Sequence, residues 1–216
     1  MYKKSATHLD KLINVFDTWL RNFAHVKTTF HSDRGNPAQN IAEAELTEEE
    51  RKRSAALMRV NHAGEVAAQA LYKGQALVAR QQDIAERMQH AAKEEEDHLV
   101  WCKQRLEELN SHTSYLDPVW FLGSFAIGVI AGLAGDRWSL GFIAETEKQV
   151  VAHLNNHLHV LPTTDQKSRV ILEQMRADEA EHGDMAMQCG GRVLPLAVQK
   201  SMQIPATVMK TVAYYW

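Results

Sequence analysis

The sequence has few of the residues that interrupt helices or form covalent cross-links. Its 216 residues include only 5 prolines and 11 glycines, and its 2 cysteines exclude a disulfide framework and a cysteine-rich zinc site. No polar–apolar alternation bounded by turn signals predicts a strand. A net charge of −3 provides no basic surface, which argues against a nucleic-acid partner. These absences favour an all-α protein of a reducing compartment.

Capping residues and prolines predict where the helices of residues 46–216 begin and end. A Ser, Thr or Asp followed three residues later by Glu or Gln is typical of a helix start, and glycine or proline is typical of an end. Thr47 with Glu50 predicts the start of a helix that runs to about Gln81, and Asp83 the start of one that runs to near 110–111. Asp136 or Ser139 starts a helix that ends before Pro162, and Thr163 starts one that ends at Gly190–Gly191. Pro195 and Pro205 interrupt the final apolar stretch.

Two other segments are apolar enough to need an explanation. Residues 7–23 have apolar side chains at helical spacing, which predicts an amphipathic helix on the core or on a membrane surface, and residues 31–42 read as a loop. Residues 118–135 carry no charge, but their four glycines favour a buried or interface-dipping helix over a membrane span. No secretory signal is recognised. We therefore expect an N-terminal helix and loop over residues 1–45 and one domain over 46–216.

The motif Glu-x-x-His occurs twice, at Glu95–His98 and at Glu179–His182. Residues three apart on a helix share a face, so each pair can reach one metal site. Each motif lies well inside its predicted helix, where a side chain can point into a bundle. The two motifs therefore predict metal-ligating positions.

The helix before each motif also has a central glutamate. Glu65 precedes the first motif by 30 residues, and Glu147 precedes the second by 32. Glu145 is an alternative to Glu147, because the two lie about 200° apart on a helix and only one can face inward. Two antiparallel hairpins would then form a four-helix bundle with four carboxylates and two imidazoles inside, which is the ligand set of ferritin-like di-iron and di-manganese proteins. Two divalent cations would balance the four charges, and oxygen-rich ligation favours iron or manganese over structural zinc.

Several polar residues near these motifs are predicted to surround the site. His62 and His153 are expected to form hydrogen bonds around it or plain polar contacts. Asp178 and Glu94 lie four residues before the two motif histidines, where a carboxylate can orient an imidazole. Other histidines are interpreted as surface or loop residues: His8, His25, His31, His90, His112, His157 and His159. Exposed positions on ordinary amphipathic helices are the interpretation for five glutamates, and for Glu94 this is an alternative to the orienting role: Glu94, Glu96, Glu107, Glu108 and Glu181.

One string within the first helix is specific to a family. Residues 59–65, Arg-Val-Asn-His-Ala-Gly-Glu, and then Tyr72-x-Gly74-Gln75 resemble the demethoxyubiquinone hydroxylase family of ubiquinone biosynthesis. The later motifs, Glu147 and the string Asp-Glu-Ala-Glu-His at 178–182 continue the resemblance in order, over roughly residues 48–216.

The resemblance implies a ferritin-like four-helix bundle with additional apolar and amphipathic helices, and it selects Glu147 over Glu145. It also implies the roles of six ligands to a di-iron centre. These are Glu65 and His98 on one iron, Glu147 and His182 on the other, and Glu95 and Glu179 bridging the two.

By the same resemblance, the protein is an O₂-dependent di-iron monooxygenase that hydroxylates the ring of a polyprenyl demethoxyubiquinol, with electrons from NADH or from the quinol itself. The enzyme would associate peripherally with the cytoplasmic face of the cell membrane. Residues 118–135 and 194–216 are candidates for the docking face and the tail channel, or else for helices buried in a protein or oligomer core. A homo-oligomer and other ubiquinone-biosynthesis proteins are expected partners.

Two alternative functions share this metal chemistry. Residues 176–180, Arg-Ala-Asp-Glu-Ala, also resemble a motif of alternative-oxidase-type quinol oxidases. The Asn-His-Ala-Gly-Glu string favours the hydroxylase. An iron-storage or iron-binding bundle of the ferritin type has no need of the uncharged segment at residues 118–135.

Overall fold

Six α-helices occupy residues 34–216, the part of the chain that the structure, a computed structural model, describes. The helices are α1 (Glu48–Val78), α2 (Gln82–Glu108), α3 (Asp117–Leu133), α4 (Asp136–Val160), α5 (Gln166–Gln188) and α6 (Leu196–Tyr215). Residues 34–216 contain no strand, which confirms the all-α prediction. The helix predicted over residues 7–23 lies outside the described residues, as does the start of the loop predicted at 31–42; residues 34–42 are non-helical.

The capping box predicted at the start of α1 is present. The hydroxyl of Thr47 accepts a hydrogen bond from the backbone N–H of Glu50 at 3.2 Å, and the Glu50 carboxylate accepts one from the backbone N–H of Thr47 at 2.9 Å. Two of the otherwise unpaired donors at the helix start are satisfied in this way. The helix ends at Val78, three residues before the predicted end.

The predicted starts of α2 and α5 are wrong in their capping residues. Asp83 does not cap α2; the carboxylate of Asp136 instead accepts hydrogen bonds from the backbone N–H groups of Arg80 and Gln81, each at 3.0 Å. At α5, Asp165 rather than Thr163 is the N-cap, and its carboxylate accepts from the backbone N–H of Ser168 at 3.0 Å. The contact of Asp136 comes from another helix, whereas Asp165 caps α5 within its own segment.

Proline affects the last helix less than predicted. Pro195 is the N-cap of α6, but Pro205 lies inside the helix, which continues to Tyr215. The expected interruption at Pro205 is therefore wrong.

The helices form two antiparallel hairpins joined by a crossover. α1 pairs with α2, and α4 pairs with α5. α1 and α4 are antiparallel, since Arg80 lies next to the start of α4 and Tyr72 next to its middle. The C-terminal end of α2 and the start of α4 are consequently at opposite ends of the bundle, and α3 returns the chain along α1. α6 packs on the α1 side. The result is a ferritin-like bundle with one crossover connection.

Glycines allow α3 to lie very close to α1. A Cβ atom on Gly128 would stand 2.3 Å from the carbonyl oxygen of Leu71, and one on Gly74 would stand 2.4 Å from the carbonyl oxygen of Phe125. Both distances are far below van der Waals contact, so only glycine fits. Gly74 belongs to the Tyr72-x-Gly74-Gln75 string, and this contact explains why glycine is required at that position.

Two apolar layers fill the bundle above and below a polar one. One layer contains Leu57, Met58, Trp101, Leu106, Leu154, Ile171, Leu172 and Met175. The other contains Tyr72, Ile84, Met88, Leu140 and Ile143. On α2 and α5 the two motifs lie between residues of these layers, and on α1 and α4 Glu65 and Glu147 do, so these side chains are enclosed. Within residues 34–216, no helix combines the length and hydropathy needed to cross a membrane.

Candidate metal centre

Six acidic and histidine side chains meet in the polar layer of the bundle. α1 and α4 each contribute one glutamate, and α2 and α5 each contribute a Glu-x-x-His pair. Each of the six is at most 5% exposed to solvent. They are the six residues predicted as metal ligands: Glu65, Glu95, His98, Glu147, Glu179 and His182.

His98 points its Nδ1 atom into the carboxylates. This nitrogen lies 3.1 Å from Oε1 of Glu179, 3.2 Å from Oε2 of Glu95 and 3.4 Å from Oε2 of Glu65. The side-chain ligand atoms of these four residues all lie within 4.8 Å of one another. That spacing is close enough for one cation to contact all four.

His182 has the matching position on the other side of the cluster. Its Nδ1 atom lies 3.2 Å from Oε2 of Glu179 and 3.6 Å from Oε1 of Glu95. Glu95 and Glu179 therefore each turn one oxygen toward His98 and the other toward His182. Both carboxylates therefore lie between the two imidazoles.

Glu147, and not Glu145, is the glutamate of α4 that joins the cluster. The phenol of Tyr72 donates a hydrogen bond to its Oε1 at 2.6 Å, and its side chain is 1% exposed. Glu145 instead accepts a hydrogen bond from Gln149 at 2.8 Å. Sequence spacing left both open, and the structure separates them by their direction on α4.

The outer nitrogens of the two histidines are held by carboxylates of the opposite hairpin. Nε2 of His98 on α2 lies 3.0 Å from Oδ2 of Asp178 on α5, and Nε2 of His182 on α5 lies 3.0 Å from Oε2 of Glu94 on α2. The predicted pairing within each helix is wrong, because both contacts cross the interface between α2 and α5. A carboxylate on Nε2 leaves Nδ1 free to bind a metal. Glu94 is consequently more than the exposed residue that the sequence also allowed.

Asp178 is itself held from two directions. The guanidinium of Arg34 donates to both of its oxygens, at 2.9 and 3.2 Å, and the amide of Gln174 donates to Oδ1 at 2.9 Å. The same guanidinium lies 5.3 Å from the ring of Trp101, which in turn lies 5.2 Å from the ring of His98. Nothing in the sequence marks Arg34, which precedes the first helix of the bundle. Bidentate pairing of this kind restricts orientation as well as adding energy.

The cluster retains protons when no cation is bound. Burial and the neighbouring carboxylates, Glu179 first, raise the pKa of Glu95 and Glu147 well above the usual value. Burial disfavours a charged imidazole at His98, but the hydrogen bond to Asp178 and the three inner glutamates raise its pKa well above the usual value. Burial disfavours the charged carboxylate of Glu179, but the hydrogen bonds from His182 and His98 outweigh the effect of burial and lower the pKa of Glu179. Positive charge at this place is therefore strongly favoured.

The donor set fits two divalent cations. Oε1 of Glu95 and Oε2 of Glu147 are buried and have no hydrogen-bond partner among the described residues. Unpaired buried carboxylate oxygens cost free energy unless a cation contacts them. Four carboxylates with one imidazole for each cation form an oxygen-rich set that suits iron or manganese. The buried Glu/His cluster is thus able to hold metal.

His62, His153 and His157 form no hydrogen bond or ion pair with the six cluster residues within the described part of the chain. His62 stands 3.3 Å from the carboxylate of Asp117 at the start of α3, so it makes a polar contact between helices. The rings of His153 and His157 lie 3.8 Å apart on α4. His157 is buried, so its interpretation as a surface residue is wrong; α6, which brings Lys210 close to it, was not expected to cover this part of α4.

A cavity of about 930 Å³ lies next to the cluster. Glu65, Glu147 and Glu179 form part of its wall, and α1, α3, α4 and α6 line the rest with mostly apolar side chains. A cavity of this size fits an organic ring with part of an apolar tail. The cluster therefore faces both a dry protein interior and a space for a substrate.

Comparison with known proteins agrees with this geometry. Residues 52–213 match the family model described as ubiquinone biosynthesis protein COQ7. A protein of Nitrosococcus oceani is 52% identical over 216 residues, all of both chains, and is named 3-demethoxyubiquinol 3-hydroxylase. Proteins of the same name from Polynucleobacter asymbioticus and Cupriavidus metallidurans are 55% and 53% identical, over 95% of this chain and 98% and 99% of theirs. The first similarity includes residues 1–45, which the sequence resemblance did not cover. An oxidase or a storage protein is not favoured by these matches.

Proposed function

This chain belongs to the COQ7 family of ubiquinone biosynthesis proteins, and we propose that it is a 3-demethoxyubiquinol 3-hydroxylase, the activity for which its relatives are named. The observation that carries the proposal is the buried cluster of four glutamates and two histidines beside a largely apolar cavity. In the reaction, a ring C–H bond becomes C–OH, the second oxygen atom of O₂ leaves as water, and a donor supplies two electrons and two protons.

We assign the six cluster residues to two iron ions. Glu65 and His98 would bind one ion, Glu147 and His182 the other, and Glu95 and Glu179 would bridge them. The contacts of both bridging glutamates with both histidines support this division. When bound, the iron ions supply the redox chemistry that activates O₂.

The protein's own groups prepare the site for that chemistry. Asp178 and Glu94 fix the orientation of the two imidazoles. The hydrogen bond from Tyr72 fixes the carboxylate of Glu147. The apolar layers above and below exclude water, which strengthens the electrostatic interactions inside and protects reactive species from side reactions.

The quinol ring would bind in the cavity, next to Glu65, Glu147 and Glu179. A polyprenyl tail needs an apolar path away from the ring, and the α3 and α6 walls of the cavity provide one. O₂ is the second substrate, and NADH or the quinol itself is the electron donor.

The outer surfaces of α3 and α6 support a peripheral membrane position, on the cytoplasmic face, from which the enzyme takes up its substrate. Apolar side chains more than half exposed occur on both helices and their flanks: Tyr115, Val119, Ile130, Leu133, Leu196, Ile204 and Val208. A lipid surface removes such side chains from water without a helix that crosses the bilayer.

Sedimentation with vesicles of phosphatidylethanolamine and phosphatidylglycerol tests this position. The protein with Ile130→Glu and Ile204→Glu should lose binding, whereas Met187→Glu, an exposed apolar position on α5, should keep it. The membrane position would be contradicted if the wild-type protein does not bind vesicles and instead uses this face to form a homo-oligomer or to bind another ubiquinone-biosynthesis protein.

The function itself is tested by the quinone profile of a strain that lacks this protein. We expect accumulation of a demethoxy precursor, restored to ubiquinone by the wild-type chain and not by Glu95→Ala. A normal profile in the deletion strain would contradict the proposal.

A further inference from the structure

One part of the cavity wall carries polar side-chain atoms that have no hydrogen-bond partner among the described residues. Asn61 on α1 and His153 on α4 both line the cavity. Their surroundings are apolar, and neither contacts the six cluster residues through any hydrogen bond of the described chain. Each therefore needs a separate explanation.

Asn61 is 2% exposed, and neither Nδ2 nor Oδ1 of its amide has a hydrogen-bond partner among the described residues. Buried side-chain amides are nearly always paired, because an unpaired donor or acceptor loses its bond to water without replacement. Two unpaired atoms on one side chain that borders a cavity indicate a partner that enters the cavity.

His153 is only partly buried, but one of its ring nitrogens is likewise unpaired. Its Nε2 atom is buried without a partner, and the adjacent ring of His157 lies 3.8 Å from its own. Burial first, with the charges of His157 and Lys210, lowers the pKa of His153 to about 2. The ring is therefore neutral near pH 7 and offers one donor and one acceptor nitrogen.

The register of the two helices brings these residues to one level. The amide of Gln75 on α1 donates to the carbonyl oxygen of Ser139 on α4 at 2.9 Å. Asn61 lies fourteen residues before Gln75, and His153 lies fourteen residues after Ser139. Because α1 and α4 are antiparallel, equal steps from this contact end at the same height of the bundle and on nearly the same faces.

This level is close to the cluster. Asn61 precedes Glu65 by four residues, which is about 6 Å of rise along α1. A six-membered ring with an oxygen at each end spans such a distance. Polar atoms at Asn61 and His153 can thus contact the far oxygens of a ring whose other edge reaches Glu65.

We infer that Asn61 and His153 are the substrate-binding residues that recognise the oxygen substituents of the quinol ring. The amide N–H of Asn61 donates to a methoxy or ring oxygen, its Oδ1 accepts from a phenolic O–H, and Nε2 of His153 pairs with an oxygen substituent on the opposite side. This inference rests on the proposed function, because it takes the quinol as the occupant of the cavity.

Binding of a short-chain demethoxyubiquinol analogue to the anaerobic, iron-loaded protein tests the inference. Asn61→Leu keeps the side-chain volume and removes both polar atoms, so we expect the Kd to rise about tenfold with unchanged iron content. Asn155→Leu is the matched control; that amide is exposed on α4 and pairs with Arg176, and its Kd should equal the wild-type value.

Two further readouts separate recognition from a structural effect. Wild type should bind an analogue without the methoxy group more weakly than it binds the methoxy compound. Asn61→Leu should bind that analogue no more weakly than it binds the methoxy compound. The thermal midpoint of ligand-free Asn61→Leu should be equal to or higher than that of wild type, because the variant removes an unpaired buried amide. A lower midpoint with equal weakening of both analogues would overturn the inference.

His153→Phe provides an independent variant if Asn61→Leu does not fold. It should also raise the Kd of the methoxy analogue severalfold. If wild type hydroxylates the quinol and both variants bind and react as wild type does, this inference fails and the proposed function stands. If wild type neither binds nor hydroxylates the quinol, both fail together.

Discussion

Asp178 holds His98 across the interface between the two hairpins, with 3.0 Å between Oδ2 and Nε2. On its own helix, Asp178 lies four residues before His182, which is held by Glu94 of α2 in the same crossed manner. Each Glu-x-x-His motif therefore depends on the other hairpin for the orientation of its imidazole. Correct packing of α2 against α5 is a condition for a complete metal site.

Asp178→Asn should weaken iron binding about 10- to 100-fold, which is the usual cost of losing a carboxylate that orients a ligating histidine. The variant keeps the shape of the side chain but removes its charge. Competition with a chelator of known affinity measures the effect. Asp184→Asn makes the same change at an exposed position of α5 and should bind iron as wild type does. Equal affinity in both variants would show that the contact with His98 is dispensable.

Glu95→Ala and Glu179→Ala should each abolish hydroxylation and lower the bound iron. Each glutamate contacts both histidines, so its removal affects both cation positions. Iron analysis and product formation are measured on the same preparation. Glu181→Ala, an exposed neighbour, should leave both unchanged. Full activity in either of the first two variants would refute the assignment of bridging ligands.

Gly128→Ala should destabilise the fold by about 1–3 kcal/mol, because the new methyl group would overlap the backbone of Leu71 and separate α3 from α1. Gly123→Ala on the same helix has open space around the added atom and should be neutral or up to about 1 kcal/mol stabilising. Urea unfolding measures both. If Gly128→Ala proves as stable as Gly123→Ala, the close approach of α3 to Leu71 does not determine stability at this position.

Acid should destabilise the protein partly through His157. Burial and the charge of Lys210 lower its folded-state pKa to about 4, below the value of about 6.5 in an unfolded chain. The unfolded state then binds the proton first, so the contribution is fully present above pH 6.5 and is lost as the pH falls toward 4. Between pH 7 and pH 5, the wild type should lose up to about 2 kcal/mol more stability than His157→Phe. Urea unfolding at the two pH values makes the comparison, and identical losses would contradict it.

The residues of the buried cluster could be predicted from sequence because their pattern is local. Glu95 and His98 share a face of one helix by spacing alone, and the same holds for the second motif. Matching glutamates in the preceding helices then needed only the assumption of antiparallel hairpins. The all-α fold and most helix limits followed from capping signals and from the scarcity of glycine and proline.

What the sequence did not predict depends on contacts between distant segments. The crossed pairing of Asp178 and Glu94 is set by how α2 packs on α5, and the backbone N–H groups just before α2 donate to Asp136 on α4. His157 is buried, with Lys210 of α6 close enough to affect its pKa, and Arg34 reaches the site from a segment outside the bundle. No local spacing contains this information.

Contacts in the structure explain most of the polar residues at positions 59–65 of α1, the string shared with the family. Arg59 donates to the carbonyl oxygens of His112 and Tyr214 and so joins α1 to the end of the chain. His62 contacts Asp117, and Glu65 joins the metal cluster. Of the polar residues in this string, Asn61 is the one whose side chain has neither a hydrogen bond nor an ion pair among the described residues, which is why it is assigned to the substrate.

The central claim is that one oxygen atom of O₂ enters the quinol ring. Iron-loaded protein is given a short-chain demethoxyubiquinol, a reductant and ¹⁸O₂, and the ring product is analysed by mass spectrometry. We predict one labelled oxygen atom in each hydroxylated ring and the other in water. Label found only in water, with the quinol oxidised to an unhydroxylated quinone, would contradict the hydroxylase and indicate a quinol oxidase.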